Sequence, residues 1–587
     1  MRIFLKPCLI VFASLAGSIT AAYASQPPDV VKSDSAYNTA MGAEALYGLT
    51  TGADNTGSGA LALNLNTEGS DNSAFGQAAL YSNITGSYNT ACGVGALDGN
   101  ETGSYNTACG YQALQGYSSS YNTAFGAQAL SQDSSGSNNT ASGYSALFWN
   151  NTGAGNTASG YQTLYNNTSG YYNSGFGANA LFTNGAGYEN TASGYNALYS
   201  NTSGYRNGAT GVDALYSNTT GTYNTASGFA ALYSNTTGGS NTASGFEALY
   251  YNTTGYYNSA SGAYALWLNG TGYSNTASGL QALYSNTSGY RNAATGVNAL
   301  YSNTIGANNT AAGYYALFSN TGGNYNNASG YFALYANTTG AQNSASGVQA
   351  LYGNKTGNYN TASGTDALYS NTSGSTNIAE GYKAGYNLTT GSNNIDIGNL
   401  GVAAESGTIR IGTTSTQIKT FIAGIYGASV SGSAVVVSST GQLGVTVSSE
   451  RYKMGITTMG STSEKLQQLR PVTFHLKTDP NGSLHYGLIA EEVAKVYPEL
   501  VIRNESGRID GVRYDELAPM LLNQAQQEQR KNAALGQQTA AQVAEIRDLK
   551  HQLAVHADRL HVMQMQLAEM HAALSKLQSK DEFVAIH

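Results

Sequence analysis

The stretch Asn224-Thr-Ala-Ser-Gly-Phe-Ala-Ala-Leu-Tyr-Ser-Asn-Thr-Thr-Gly-Gly-Ser240 is one unit of a 17-residue repeat, and the next unit begins at Asn241. Matching asparagines run from Asn38 to Asn394, with a single 16-residue step before Asn122, so that the chain holds 22 units. One unit is too short for two helices, and Asn, Thr, Gly, Ser and Tyr favour strands and turns. We therefore predict a parallel β-solenoid or β-roll in which each unit forms one rung of two short strands and two turns.

The apolar residues of each unit are few and small. Ala226, Ala231, Leu232 and their equivalents are predicted to face inward, which gives a narrow core that only stacking of rungs can complete. Asparagines and threonines at fixed positions are predicted to form hydrogen-bonded ladders between rungs. With strands about 4.8 Å apart, the 22 units make a rod on the order of 100 Å long.

Tyrosines recur at the repeat step, as in Tyr199, Tyr216 and Tyr233. Such rows can stack sugars or pack on a partner chain, but we favour the simpler interpretation that they cover adjacent rungs or a trimer seam.

The repeat region is almost free of positive charge. Between Asn38 and Asn377 its basic residues are Arg206, Arg291 and Lys355. Without a basic patch, nucleic acid is not expected as a partner.

The amino-terminal residues predict export. Arg2 and Lys6 precede a largely apolar segment, and Ala22-Tyr23-Ala24 matches a signal-peptidase site. A membrane anchor is the alternative, but the apolar run is short for a bilayer span. We expect a secreted or cell-surface protein without a transmembrane segment after signal removal.

Two of the three cysteines, Cys92 and Cys109, occupy the same position of consecutive repeats. They are expected one rung apart, within disulfide reach. We prefer the interpretation that they are small residues in place of the usual serine. No metal-ligand spacing is found, and no metal or other cofactor is expected.

The repeat pattern, with Asn-Thr-Ala-Ser-Gly as in Asn224 to Gly228, resembles the head repeats of trimeric autotransporter adhesins. Those repeats also place Asn-Ser/Thr-x-Ala-x-Gly once per turn of a β-roll, in a unit that is usually shorter. The resemblance implies a trimeric, adhesin-like fibre over residues 38–400.

After the repeats the pattern predicts a β-rich neck over residues 401–447. Thr408 to Gly412, Lys419 to Ala423 and Val435 to Val437 are read as strands. Further on, Ser461-x-x-Glu464 has the form of a capping box and predicts a short helix that ends at Leu469. Alternation over Val472 to Leu476 then predicts a strand.

Three motifs follow in order: Ser448-Ser-Glu-Arg-Tyr-Lys453, Gly487-Leu-Ile-Ala-Glu-Glu-Val493 and Tyr514-Asp-Glu-Leu517. They resemble the intramolecular chaperone domain of endosialidases and other phage tail spikes, the S74 peptidase family. The family often has Asp or Asn where this chain has Ser449.

The resemblance implies a small α+β domain that cuts its own chain, with Ser448 as nucleophile and Lys453 as general base. The scissile bond adjoins Ser448 and is most readily placed between Val447 and Ser448. His485 and Glu492 are possible auxiliary residues, although a structural role suits each better. A free lysine has a pKa of about 10.4, so a lysine base needs an environment that favours the neutral amine. We expect the assembled trimer to provide it.

The carboxy-terminal region predicts a coiled coil over residues 541–580. The apolar seam repeats at steps of three and four, and it comprises Ile546, Leu549, Leu553, His556, Leu560, Met563, Leu567, Met570, Leu574 and Leu577. His556 is its one polar member. It can bind an ion or weaken the coil at low pH, but setting the register is the simpler role. The trimeric state is implied by the family resemblance.

We therefore expect a mostly β homotrimeric fibre whose carboxy-terminal autoprotease drives assembly, with a cell-surface glycan or a host receptor as candidate partners. The alternatives are a glycan-degrading, tail-spike-like enzyme and a repeat array, including Thr225 and its equivalents, that binds an ordered surface such as polysaccharide or ice. The first alternative needs paired carboxylates, and Glu189, Asp213 and Glu247 are read as sharing no rung position.

The predicted domains are 1–24 signal, 25–37 leader, 38–400 repeat fibre, 401–447 neck, 448–540 chaperone and 541–580 coiled coil.

Overall fold

The structure, a computed structural model, describes residues 32–116, 118–423, 425, 434–504 and 506–581. The chain forms two compact units, Met1–Ile422 and Ala423–His587. The predicted signal peptide and most of the predicted leader lie outside the described residues. In the part of the chain that the structure describes, no helix combines the length and the apolar character that a bilayer span requires.

The first unit is a parallel β-solenoid, as predicted. Each 17-residue repeat contributes one three-residue strand, and each strand pairs in parallel with the strand of the next rung, as Ala226 pairs with Ala243. Strand β1 (Lys32–Ser33) pairs antiparallel with β2. Strands β2 to β24 are Thr39–Met41, Thr56–Ser58, Ser73–Phe75, Thr90–Cys92, Thr107–Cys109, Thr123–Phe125, Thr140–Ser142, Thr157–Ser159, Ser174–Phe176, Thr191–Ser193, Gly208–Thr210, Thr225–Ser227, Thr242–Ser244, Ser259–Ser261, Thr276–Ser278, Ala293–Thr295, Thr310–Ala312, Asn327–Ser329, Ser344–Ser346, Thr361–Ser363, Ile378–Glu380, Ile395–Ile397 and Ile409–Ile411.

The prediction of two strands per rung is wrong. On the far side of each rung the backbone is not extended, because alternate residues adopt left-handed conformations, with φ of 51° at Ala230 and 53° at Leu232. Rungs still bond to each other there, since the amide of Leu232 donates to the carbonyl of Ala248 at 2.9 Å. Each turn therefore has one β-face and one side built from stacked turns.

The core of the solenoid is the predicted one. Ala226, Ala231 and Leu232 are fully buried, and their equivalents form one continuous column along the unit. Burying one leucine side chain contributes about 1.5–3 kcal/mol, so each rung depends on its neighbours for that gain. The core stays narrow because two of its three residues are alanines.

Two asparagine ladders tie the rungs together, as predicted. In the first, the amide of Asn224 donates from Nδ2 to the Gly238 carbonyl at 2.8 Å and to Oδ1 of Asn207 at 3.2 Å. In the second, Nδ2 of Asn235 donates to Oδ1 of Asn218 at 2.7 Å. A buried amide side chain is costly unless it is hydrogen-bonded, and here each one satisfies the next.

The tyrosine rows cover adjacent rungs. The rings of Tyr199, Tyr216 and Tyr233 stack at centroid distances of 5.1 and 5.0 Å with nearly parallel planes. The same row runs without a gap from Phe148 to Tyr386. Neighbouring rings stack face to face along this row, except at Tyr250 and Trp267, whose planes are tilted by 31° with centroids 6.2 Å apart.

The strands of the predicted neck, residues 401–447, agree only partly with the prediction. Strand β24 continues the solenoid ladder by pairing with β23, and β25 (Val436–Val437) pairs antiparallel with β26 (Leu443–Gly444). The strand predicted from Lys419 to Ala423 is not formed. Its aromatic residue, Phe421, is 89% exposed, because no strand of the described chain pairs with this segment.

The second unit contains a small α+β arrangement. Antiparallel pairs are formed by β27 (Val472–Phe474) with β28 (His485–Gly487) and by β29 (Val501–Arg503) with β30 (Ile509–Val512). Short 3-10 helices span Glu450–Tyr452, Gly460–Gln468 and Pro498–Leu500, and α1 spans Ala490–Val496. Its buried core residues are Val493, Tyr497, Leu500, Val501, Val512 and Met520.

The capping-box prediction is wrong in detail. The helix expected after an N-cap at Ser461 is a 3-10 helix that starts two residues earlier, at Gly460, with Met459 at the N-cap and no side-chain cap. The hydroxyl of Ser463 instead lies against Asn523 and Gln524 of the last helix. Packing against that helix thus decides where the 3-10 segment begins.

The last helix, α2, spans Tyr514–Asp581. It includes the whole predicted heptad seam, and the described seam side chains are exposed, with Leu553 at 71%. The helical prediction is confirmed, whereas a coiled coil requires further chains and stays a prediction.

Candidate functional site

The first motif folds into one tight turn. Residues 445–448 are irregular, and Glu450–Tyr452 forms the 3-10 turn, closed by hydrogen bonds from the Tyr452 amide to Ser449 O at 3.0 Å and from the Lys453 amide to Glu450 O at 2.9 Å. This turn reverses the chain, so the side chains at its two ends approach each other. The Nζ of Lys453 donates to the Oγ of Ser448 at 3.2 Å.

The two residues predicted as nucleophile and base are therefore within hydrogen-bond reach of each other. This is the geometry that a serine nucleophile and its base require. Both side chains are exposed in the single chain, as is Val447.

The two possible auxiliary residues have other contacts. The ring of His485 stacks on Phe474 across the β27–β28 pair, with centroids 5.7 Å apart. Glu492 forms an ion pair with Arg470 at 2.6 Å, and this hydrogen-bonded guanidinium lowers the pKa of the carboxyl. The structural role that the sequence favoured for each of the two residues stays a prediction.

The second and third motifs are joined by Tyr514. Its hydroxyl accepts a hydrogen bond from the Leu488 amide at 2.8 Å. A side chain at Gly487 would place a Cβ only 2.7 Å from that hydroxyl, so the motif glycine makes room for the tyrosine. The sequence identified Leu488 and Tyr514 as motif positions but did not pair them, because their contact spans 26 residues of chain.

The three acidic residues considered for a glycan-degrading site each contact a residue other than a second acid. Glu189 pairs with Arg206 at 2.6 Å. Asp213 accepts a hydrogen bond from Asn196, and Glu247 accepts one from the indole of Trp267.

The prediction that these three acids occupy different positions of the 17-residue repeat is wrong for two of them. Asp213 and Glu247 lie 34 residues, or two rungs, apart at the same position. Buried Ala230 lies between them, and both carboxylates act as hydrogen-bond acceptors. A glycosidase would need one of the two to donate a proton.

The remaining sequence candidates are placed as follows. Thr225 is exposed on the outer side of its strand, next to buried Ala226. Cys92 and Cys109 lie opposite each other in adjacent strands, and both thiols are free. The pKa of the Cys109 thiol is raised, mainly by burial and to a smaller extent by the neighbouring Cys92. Among the residues described, no group of three or more His, Cys, Asp or Glu side chains is arranged to hold a metal ion.

Comparison with known families gives one match, which covers part of the second unit. Residues 448–502 match the S74 peptidase family model, described as the chaperone of endosialidase. No curated protein and no solved structure matches the chain. The match begins at Ser448, the residue that accepts the hydrogen bond from Lys453. The chain therefore carries, from Ser448 to Ile502, a segment of the endosialidase-chaperone type downstream of a β-solenoid of 17-residue repeats.

Proposed function

We propose that this protein is an exported, homotrimeric surface fibre whose carboxy-terminal segment assembles the trimer and then cleaves itself off next to Ser448. The single observation that carries the proposal is the 3.2 Å contact between Lys453 Nζ and Ser448 Oγ at the first residue of the matched segment.

Trimer formation is supported by the apolar seam of α2. Leu549, Leu553 and Leu560 are more than half exposed on one face of a 68-residue helix. A seam with this spacing is stabilised when it packs into the seams of other helices. Copies of the same chain supply such seams in register, and the S74 family implies three of them.

The segment before Ser448 supports the same conclusion. Ile418, Phe421, Val437, Leu443 and Val447 all expose most of their side-chain surface in the single chain. Apolar surface concentrated in this way marks an interaction site. Its position just ahead of the matched segment suits a neck that three chains form together.

The proposed chemistry uses the two residues of the turn. Neutral Lys453 Nζ accepts the proton of Ser448 Oγ, and Oγ attacks the carbonyl carbon of Val447. The bond between that carbon and the Ser448 nitrogen breaks, and the nitrogen takes up a proton. An ester then links Val447 to Ser448 Oγ, and water hydrolyses it to leave a carboxylate on Val447 and a free hydroxyl on Ser448.

Assembly would control this reaction. In the single chain water surrounds Lys453, whereas packing of three chains around the turn would desolvate it and favour the neutral amine. Cleavage would then report that the trimer is complete. Loss of the assembly segment leaves a fibre whose persistence depends on its slow unfolding.

Intact mass and denaturing gel electrophoresis of the purified full chain test the proposal. The wild type is expected to yield two fragments divided next to Ser448, and Ser448→Ala and Lys453→Ala are expected to remain whole while still forming trimers. Ser449→Ala is the matched control, because it changes the neighbouring hydroxyl and should still be cut. A wild type that stays whole as a folded trimer would refute self-cleavage.

A further inference from the structure

Cys92 and Cys109 occupy the last positions of strands β5 and β6 and lie directly opposite each other in this parallel pair. Both side chains stand on the outer face of the sheet, because the residues before them, Ala91 and Ala108, are fully buried in the core. Cys92 is exposed and Cys109 is partly exposed. The two thiols are therefore neighbours on the surface, where a soluble oxidant can reach Cys92.

The spacing of this pair is compatible with a disulfide. Opposite residues of adjacent parallel strands have Cα atoms about 4.8 Å apart, within the range of roughly 4.4–6.8 Å found for disulfides. Their Cβ atoms run side by side and need to approach to about 4 Å, which a small tilt of the two side chains provides. After burial, the charge of Cys92 and a hydrogen bond to it raise the pKa of the Cys109 thiol, so the two thiols already interact.

Phenylalanines stand on both sides of the cysteine pair. Phe75 is the in-register neighbour of Cys92, and Phe125 is that of Cys109. In the rungs after Phe125 this position mostly carries serine, as at Ser227. Sulfur packs favourably against aromatic rings, and a disulfide has no hydrogen-bond donor. This part of the column therefore suits a disulfide better than the serine-bearing part does.

The pair joins two rungs whose hydrogen bonding is irregular elsewhere. The rung that begins at Asn106, which we name the short rung, has 16 residues instead of 17. In the rung before it, the amide of Glu101 donates to the side-chain Oγ of Ser118 at 3.2 Å. One rung earlier, the equivalent amide of Ile84 donates to the backbone carbonyl of Glu101 at 2.7 Å. A side-chain contact thus replaces a backbone contact at the short rung.

The second asparagine ladder is interrupted at the same place. Asn100 donates from Nδ2 to Oδ1 of Asn83 at 2.9 Å. From residue 101 to residue 132, however, the sequence contains only Asn106 and Asn122, and both belong to the first ladder. The short rung therefore contributes no asparagine to the second ladder, and a covalent link would compensate for the missing hydrogen bonds.

We propose that Cys92 and Cys109 form a disulfide that fastens the short rung to the rung before it. The sequence by itself favoured two replacements for serine. The irregular hydrogen bonding of the short rung, together with the opposed placement of the thiols, favours the disulfide instead.

The oxidant is a low-molecular-weight disulfide such as oxidised glutathione. The Cys92 thiolate attacks one of its sulfurs, which forms a mixed disulfide and releases the first thiol. The Cys109 thiolate then attacks the Cys92 sulfur and releases the second thiol. Two cysteine thiols are oxidised, one oxidant disulfide is reduced to two thiols, and the two cysteine protons pass to those thiols.

An oxidising environment for this step rests on the proposed export. The link itself depends only on the first unit, so it is tested in buffers of defined redox state. Ser448→Ala should form the same disulfide while its chain stays whole. Failure of self-cleavage and failure of this proposal are therefore distinguishable in the same samples.

Peptide mapping of the full-length protein tests the link. Glu101 lies between the two cysteines, so cleavage after glutamate gives two peptides that only a disulfide holds together. The protein is incubated in excess oxidised glutathione, alkylated, unfolded and digested. We expect the wild type to give the joined peptide, and dithiothreitol to separate it. Separate peptides that carry alkylated thiols or glutathione would overturn the proposal.

Hydrogen exchange followed by mass tests whether the disulfide stabilises the short rung. In the wild type, amides of residues 106–116 should exchange at least about tenfold more slowly in the oxidised than in the reduced protein. The double variant Cys92→Ser with Cys109→Ser is the matched control and should exchange equally fast in both buffers. Residues 224–240, in a distant rung, should not change. Equal exchange of oxidised and reduced wild type would contradict a fastening role.

Discussion

Lys453 Nζ lies 3.2 Å from Ser448 Oγ across one turn of 3-10 helix, so local backbone geometry alone brings the two groups together. What the single chain does not provide is burial, because both side chains remain exposed. The turn thus positions the side chains of Ser448 and Lys453, and we attribute the activation of Lys453 to trimer assembly.

Replacing Lys453 by arginine should abolish cleavage without abolishing assembly. A guanidinium keeps the positive charge but does not give up its proton at accessible pH, so it cannot act as the base. Intact mass should show an uncut chain, and light scattering should still show a trimer. Lys465→Arg, in the neighbouring 3-10 helix, is the control and should be cut normally. A cleaved Lys453→Arg protein would mean that another group takes the proton.

A charge in the seam of α2 should prevent both assembly and cleavage. Leu553→Asp places a carboxylate where three helices are proposed to pack, and a buried unpaired charge is strongly destabilising. Light scattering should show the loss of trimer, and the chain should remain whole. Ala554→Asp, one position further and off the seam, should behave like the wild type. A monomeric Leu553→Asp protein that still cuts itself would separate cleavage from assembly.

The buried Asp133 should make the solenoid less stable as the pH rises. It takes an asparagine position in the second ladder, where its Oδ1 accepts from Asn150 at 2.9 Å and from the Gly136 amide at 3.1 Å. Burial raises its pKa from 3.8 to about 7, against weaker lowering by hydrogen bonds from Ser119, Asn150 and Gly136. None of these partners is charged, so none compensates for the buried carboxylate.

The direction of the effect follows from linkage. Between pH 4 and 7 the folded chain holds a proton that the unfolded chain has released, so the free energy of unfolding falls as the pH rises through this window and is level above it. Asp133→Asn should remove this slope and raise stability at pH 8 by at most about 4 kcal/mol. Thermal midpoints at pH 5, 6 and 8 measure it. Exposed Asp71→Asn is the control, and equal slopes for Asp133→Asn and wild type would contradict the assignment.

Adding one methyl group at the glycine column should damage the stacking of rungs. A Cβ at Gly245, where φ is 139°, would lie 2.6 Å from the carbonyl oxygen of Gly262 in the next rung. Gly245→Ala should therefore cost about 1–3 kcal/mol and lower the thermal midpoint. Gly208→Ala is the matched control, since its Cβ meets nothing within 4 Å. Equal midpoints for the two variants would show that the rungs can separate without cost.

Several features followed from the sequence by itself. The 17-residue step determined one rung per repeat, the inward places of Ala226, Ala231 and Leu232, and the ladder that includes Asn224. These features follow from the translational symmetry of the solenoid, because residues one repeat apart have equivalent surroundings. The five-residue spacing of Ser448 and Lys453 was likewise visible in the chain, since one local turn joins them.

Other features were decided by the tertiary structure. The left-handed backbone at Leu232 replaced the second strand, and in the second unit the N-cap of the 3-10 helix lies at Met459 and not at Ser461, where the segment packs against α2. The contact of Gly487 with Tyr514 arises between residues far apart in the chain. A local pattern does not contain such contacts, because they depend on which side chains the fold leaves next to each other and which it leaves without a neighbour.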